Sequence, residues 1–414
     1  MPIRGIISLP GDKSISHRAL MLASLTNGDC LIHNISSGDD VESTRSCLTV
    51  CGIVSEKSGN TVRVTGGRFQ VPQVPLHCGN SGTTVRLMTG LLAGKGVSAE
   101  FTGDKSLSKR PMNRIIDPLE KMGITIESEN GHLPMLSKPE NVTGIYYSTP
   151  VASAQVKSCI ILAGLGALGK TQVEEKIKSR DHTEVMLKEF GAEIQTDDNI
   201  TIHPLKKPLN EFEITVPGDP SSAAFFAAAA AMIPNSDLTI KNVLANTTRI
   251  GFYSVLENMG VDIGWNNMRK ENGEWIGDLH VFSQPLNGVH IIEDMIPSVI
   301  DEIPIIAVIA TQADSPTVIE GAAELRVKES DRIMAICQNL RSMGAEIIEK
   351  KDGFIINPVT KLHHANIKTF GDHRIAMAFT IAGLLTANKN TLDDEDCINI
   401  SFPEFFEILK KILK

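Results

Sequence analysis

Leu119-Glu-Lys-Met-Gly123-Ile124 is the stretch from which the fold can be read. An apolar helical ridge stops at glycine, the residue best suited to the left-handed turn that closes a helix, and a strand begins at once. The signature recurs at Leu48-Thr-Val-Cys-Gly52-Ile53, Leu187-Lys-Glu-Phe-Gly191-Ala192, Leu256-Glu-Asn-Met-Gly260-Val261 and Leu340-Arg-Ser-Met-Gly344-Ala345. A sixth amphipathic helix, at 405–413, runs off the end of the chain. Spacing of roughly 70 residues marks an internal repeat rather than chance.

A second series agrees. Short Ala/Leu-rich helices are predicted at 19–25, 84–93, 155–168, 222–232, 304–311 and 374–387, each followed by a turn and a strand. Each has a small, polar lead-in: Gly11-Asp-Lys-Ser, Gly79-Asn-Ser-Gly-Thr-Thr, Ser153-Ala-Gln-Val-Lys, Gly218-Asp-Pro-Ser-Ser, Ile300-Asp-Glu-Ile-Pro and Gly371-Asp-His-Arg. Six βαβ-like units exceed one core, so two groups of three are expected. The last unit lacks a final strand and the chain opens with a spare one, Ile3–Leu9. We therefore expect domains at 12–217 and at 1–11 with 218–414. The helix N-termini would face a cleft between the domains and give it a positive field.

Composition narrows the function. The 414 residues carry a formal net charge of −9 and a pI of about 5.7, which argues against a nucleic-acid surface. No apolar run approaches the roughly 18 residues of a membrane span, and no leader peptide is apparent at the start. The seven cysteines are scattered, and no metal-ligand spacing appears; Cys47 and Cys51, at i and i+4, read as a core face. A reducing, cytoplasmic setting follows.

The first lead-in, Leu9-Pro-Gly-Asp-Lys-Ser-Ile-Ser-His-Arg18, breaks a charge rule. Asp12 suits an N-cap, but Lys13 and Arg18 sit where the helix dipole repels cations, at roughly 0.3–1 kcal/mol each. An anion held by backbone amides, the Ser14 hydroxyl and both cations would reverse that cost. Arg374 is misplaced in the same way. Lys328 and Arg332, read as i and i+4 on one helical face, repel each other unless an anion joins them. Asp219 and Asp372 read as caps like Asp12, while Asp301 stands between apolar residues. Gly82 reads either as a plain loop glycine or as a point where backbone meets ligand.

Six motifs taken together resemble the EPSP synthase family: residues 9–18, Gly79–Arg86, Arg110-Pro-Met, Ser153-Ala-Gln155, Leu325–Arg332 and Gly371-Asp-His-Arg374. The resemblance spans the whole chain. It implies α/β architecture, two similar domains each of three βαβαββ repeats (an inverted-barrel, EPT-like arrangement), with the substrates in the cleft. The implied reaction is transfer of the enolpyruvyl group of phosphoenolpyruvate to the 5-hydroxyl of shikimate 3-phosphate, without metal or organic cofactor. It is a step of the shikimate pathway toward chorismate and the aromatic amino acids, and the target of glyphosate. A monomer is expected, open when free and closed on its substrates.

The resemblance also implies roles. Lys13, Ser14, Arg18, Ser153, Ala154, Gln155, Ser179, Asp301 and Lys328 match positions around shikimate 3-phosphate, with Arg180 as a helper. Lys13, Gly82, Arg110, Gln155, Arg332 and Arg374 match those around phosphoenolpyruvate. Asp301 is implied as the base for the 5-hydroxyl and Glu329 as the acid/base at the enol carbon, with Lys13 sharing proton transfer; spacing alone reads Glu329 equally well as an ion-pair partner of Arg332. Glu302 is expected to point elsewhere. His17, His182 and His373 read as orienting or packing residues. Three positions depart from one branch of the family: Ala154 replaces a serine, Glu324 an asparagine and Ile400 a lysine. A related transferase acting on a UDP-linked amino sugar is disfavoured, because the matching loop, Gly103–Pro111, has no cysteine. A nucleic-acid end-processing enzyme is disfavoured by the acidic charge balance and by the presence of only two Trp and three Tyr. A non-catalytic phosphate-binding scaffold is the third rival, and an assay of phosphate release separates it from an enzyme.

Overall fold

Gly52, Gly123, Gly191, Gly260 and Gly344 have φ of +85°, +87°, +91°, +94° and +87° in the computed structural model, which describes residues 2–358 and 361–413. Each follows an amphipathic helix: Asp39–Val50, Asn113–Lys121, His182–Glu189, Gly251–Asn258 and Arg332–Ser342. After Gly52, Gly191, Gly260 and Gly344 the next residue's N–H returns to a carbonyl five residues back, closing the helix end and aiming the chain into a strand.

The Ala/Leu-rich helices are Lys13–Ala23, Gly82–Gly94, Ala154–Gly164, Pro220–Met232, Ile303–Ala310 and His373–Ala382. Most are apolar around their whole circumference and lie in the core. Small residues let them approach closely. A Cβ added at Gly90 would lie 2.1 Å from the Cys159 carbonyl oxygen, so the helices Gly82–Gly94 and Ala154–Gly164 pack backbone to backbone.

Among the described residues the strands form five four-stranded sheets and one two-stranded sheet. In each four-stranded sheet the first two strands are parallel and the third runs antiparallel to the second. Together with the two helix series this gives mixed α/β architecture built from βαβαββ units. Among the described residues the sixth sheet, Asn366–Ile367 beside Thr391–Leu392, has only its parallel pair, and the helix Phe405–Ile412 follows it.

By their contacts the residues fall into two units. One comprises Gly11–Val216 with Asn272–Glu274; the other comprises the residues up to Pro10, Pro217–Glu271 and those from Trp275 onward. Each unit contains one strand pairing between segments far apart in sequence. Arg4–Ser8 pairs in parallel with Asp237–Leu244, Arg4 opposite Asp237. Glu213–Thr215 returns to Asp29–His33, Glu213 opposite Leu31. The spare N-terminal strand thus begins the fourth repeat, and the first repeat takes its opening strand from residues 213–215.

Candidate active site

In the unit of residues 11–216, Asp12 caps its helix, its Oδ1 accepting the Ile15 N–H at 2.7 Å. Lys13, the first helical residue, sends its ammonium to Asp40 Oδ2 at 2.9 Å. Nothing local in the sequence singles out Asp40, because an acid in the first turn of Asp39–Val50 reads as ordinary dipole complementation. Arg18 is buried, donating from Nε to Thr183 Oγ1 at 2.7 Å, from Nη2 to Ser158 Oγ at 2.9 Å and from Nη1 to the Ser14 carbonyl at 2.9 Å. Its charge therefore rigidifies the start of the helix. His17 hydrogen-bonds Thr44 Oγ1 at 2.7 Å. Burial, then the charges of Lys13 and Arg18, lower its pKa well below the usual imidazole value, so the ring is neutral.

Gly82 opens the helix capped by Ser81. A Cβ there would stand 2.7 Å from Arg86 Nη1 and 3.3 Å from Arg110 Nη1, so two guanidinium groups flank this glycine. Arg86 donates to Gln155 Oε1 at 2.7 Å, and Gln155 Nε2 donates to Thr83 Oγ1 at 2.9 Å. Arg110 Nη2 donates to Asn80 Oδ1 at 2.7 Å, and the Asn80 amide nitrogen donates to Asp104 Oδ2 at 2.7 Å. Arg86 and Asn80 belong to a motif, yet the sequence reading assigns neither a role. The one sequence signal for Arg86 is that it lies one helical turn beyond Gly82. Ser153 caps the helix that begins with Ala154, and its hydroxyl accepts the Val156 N–H at 3.4 Å. Ser179, on the loop after the strand Thr171–Glu175, donates its backbone N–H to Glu175 Oε1 at 3.3 Å, and its hydroxyl meets the same oxygen. His182 is buried against Glu274 Oε1 at 2.6 Å.

The other unit gathers carboxylates and guanidinium groups. Arg332, 1% exposed, donates from Nε to Asp372 Oδ2 at 2.8 Å and from Nη2 to Glu329 Oε2 at 2.7 Å, with Nη1 3.5 Å from Asp301 Oδ1. Arg374 Nη2 lies 3.5 Å from Asp301 Oδ2, and its Nη1 donates to the Asp301 carbonyl at 3.1 Å. Asp301 is thus held between two guanidinium groups. Asp372 also caps its own helix, accepting the Arg374 N–H at 3.0 Å.

Two expectations change here. Lys328 and Arg332 do not share a helical face: the helix starts at Arg332, capped by Asp331, and Lys328 is extended at the end of a short 3-10 turn, Ala323–Val327. Asp331 supplies the capping carboxylate that ends the run; its Oδ1 accepts the Met334 N–H at 3.0 Å. Glu302 does not point away, since its buried Oε1 is 3.9 Å from Arg374 Nη1. Burial pushes the Lys328 pKa down, against Asp301, Glu324 and Glu329, which push it up. The unusual acid at 324 thereby shares the surroundings of Lys328. Ile400 ends the short helical turn Asp396–Ile400 and packs against the core. No group of three or more His, Cys, Asp or Glu able to hold a metal occurs among the described residues.

The model of the EPSP synthase (3-phosphoshikimate 1-carboxyvinyltransferase) family matches residues 1–409. A 3-phosphoshikimate 1-carboxyvinyltransferase of Petrotoga mobilis is 49% identical over 419 residues, covering 99% of this chain and 97% of that protein. The protein of the same name from Oceanobacillus iheyensis is 45% identical, covering 100% and 97%. The solved EPSP synthase of Acinetobacter baumannii superposes with a TM-score of 0.88 at 39% identity, over 99% of this chain and 96% of that one. With a family model matching nearly the whole chain and relatives this similar, the chain belongs to the EPSP synthase family.

Proposed function

We propose that the residues just described divide the family's reaction between them. The chain is an enolpyruvyl transferase: it moves the enolpyruvyl group of phosphoenolpyruvate to the 5-hydroxyl of shikimate 3-phosphate, giving 5-enolpyruvylshikimate 3-phosphate and phosphate. In this reading Lys13, Ser14, Arg18, Ser153, Gln155, Ser179 and Lys328 hold shikimate 3-phosphate. Lys13, Gly82, Arg110, Gln155, Arg332 and Arg374 hold phosphoenolpyruvate. Charge-assisted and bidentate bonds suit a carboxylate and two phosphates.

Asp301 takes the proton of the 5-hydroxyl as its oxygen attacks C2. Glu329 delivers a proton to C3, turning the methylene into a methyl. The tetrahedral adduct then returns a proton from C3 to Glu329 and expels phosphate, which takes up the proton Asp301 had removed, restoring the enol double bond and both carboxylates. The single observation that supports this division is Asp301 clamped between Arg332 and Arg374, with Glu329 on the same Arg332 guanidinium at 2.7 Å. Such a cluster fixes both carboxylates where charge develops in an addition–elimination. Lys13, held on Asp40, assists proton transfer at the shikimate side.

The test is phosphate release with phosphoenolpyruvate plus shikimate 3-phosphate, each omitted in turn. A UDP-linked amino sugar serves as the competing acceptor. Turnover with that sugar and none with shikimate 3-phosphate would refute the reading. No helix among the described residues is long and apolar enough to cross a membrane; we place the enzyme in the cytoplasm as a monomer, which fractionation and sedimentation test.

A further inference from the structure

Behind Ser179 lies a buried ionic cluster that the reaction scheme leaves unused. Lys157 is 1% exposed, on the helix that Ser153 caps. Its ammonium donates to Glu175 Oε2 at 2.7 Å, meets Glu184 Oε1 at 2.7 Å and reaches the Ser179 carbonyl at 3.4 Å. Three donors thereby find three acceptors. Glu175 Oε1 in turn takes both the backbone N–H and the hydroxyl of Ser179. Every polar group of Ser179, main chain and side chain, is therefore engaged with Lys157 or Glu175.

The cluster joins four pieces of chain. Lys157 lies one turn beyond Ser153, Glu175 ends the strand Thr171–Glu175, Ser179 sits on the loop after it, and Glu184 lies in the first turn of His182–Glu189. The neighbours in sequence make a parallel link, Ser158 bonding Thr183 at 2.7 Å and both accepting from Arg18. Three residues assigned to shikimate 3-phosphate, Arg18, Ser153 and Ser179, are thus set relative to one another by this one network. A buried ion cluster is expensive to desolvate and stabilises little by itself, so fixing geometry is the better account of it.

We propose that Glu175 and Lys157 are positioning residues for shikimate 3-phosphate, acting through Ser179, which they hold in place for the phosphate. The proposal rests on the reading of Ser179 as a phosphate contact. Glu175→Gln tests it, because an amide keeps one acceptor oxygen and cannot serve Lys157 and Ser179 together.

The experiment is a double-mutant cycle with Glu175→Gln, Ser179→Ala and the pair, measuring kcat and KM for each substrate. Glu175→Gln should raise KM for shikimate 3-phosphate about tenfold, leaving kcat and KM for phosphoenolpyruvate within about twofold. Added to Ser179→Ala, it should change KM by less than about twofold. If Ser179→Ala itself leaves KM unchanged, the reading of Ser179 falls, and this proposal with it. If Ser179→Ala raises KM and Glu175→Gln does not, Ser179 stands and the positioning role is overturned. An effect of Glu175→Gln that persists in full without the Ser179 hydroxyl overturns it as well, as does a fall in KM, which would make Glu175 a competitor for the hydroxyl proton. Should Glu175→Gln not fold, Glu175→Asp, too short to span Lys157 and Ser179, runs through the same cycle with the same expectations.

Discussion

Asp372 holds Arg332 through both carboxylate oxygens, at 2.8 and 3.3 Å, while the same side chain caps the helix that carries Arg374. One buried acid therefore holds one guanidinium group assigned to phosphoenolpyruvate and caps the helix that carries another. Removing it strands the Arg332 charge and uncaps a helix. Asp372→Ala should lower stability by about 3–5 kcal/mol, read from urea unfolding, and raise KM for phosphoenolpyruvate in whatever folds. Unchanged stability would mean that Glu329 and Asp301 suffice to compensate Arg332.

Asp301→Ala should reduce kcat by about 10²- to 10⁴-fold, the range of a general base, with smaller changes in both KM values. Because Arg332 and Arg374 lose a shared partner, Asp301→Asn is the companion variant that keeps their packing. Near-normal turnover in either variant, measured as phosphate release, would remove Asp301 from the mechanism.

Gly82→Ala places a methyl 2.7 Å from Arg86 Nη1 and 3.3 Å from Arg110 Nη1. Both are far ends of long side chains, so the fold should tolerate the change, with melting temperature within about 2 °C of the parent. The guanidinium groups must shift, and the space beside the glycine shrinks. Inhibition by glyphosate should weaken more than KM for phosphoenolpyruvate rises. Equal losses in a parallel inhibition and kinetic assay would show that the glycine does not discriminate between them.

Asp278 supplies a pH-dependent contribution to stability. Burial alone pushes its carboxyl up, but hydrogen bonds from the Asn242 N–H, Asn267 and Lys241 outweigh that and hold the pKa at about 2. Since the folded value lies below the unfolded one, the stabilisation is complete above the ordinary carboxylate range and is lost as pH falls through about 2. Asp278→Asn should cost about 2 kcal/mol at pH 7 and progressively less toward pH 2. Denaturant unfolding at several pH values checks this; a difference that does not change with pH would assign the effect to packing.

The repeat is legible because its marks are local. A glycine after an apolar helical ridge requires positive φ, and a run such as Ala227–Ala231 suits only a helix buried on all sides. Contacts between distant positions are not legible in the same way. Arg86 meets Gln155 across 69 residues and Arg332 meets Asp372 across 40, and no periodicity connects such pairs. Lys328 misleads for a different reason. Its spacing from Arg332 suits a helix, but Asp331 caps the helix one residue before Arg332, and a capping carboxylate outweighs a spacing pattern.

These two long-range strand pairings bear on how the chain is made. A ribosome delivers Arg4–Ser8 before residues 11–216, yet its parallel partner, Asp237–Leu244, emerges more than two hundred residues later. Arg4–Ser8 must therefore wait, unpaired along that edge, while the whole of 11–216 acquires its final strand at Glu213–Thr215. Vectorial synthesis thus favours completion of the unit whose strands are all available first, and makes Arg4–Ser8 dock later than the segments of 11–216 that follow it. Trimming the first eight residues should accordingly spare the early-maturing half and cripple the late one.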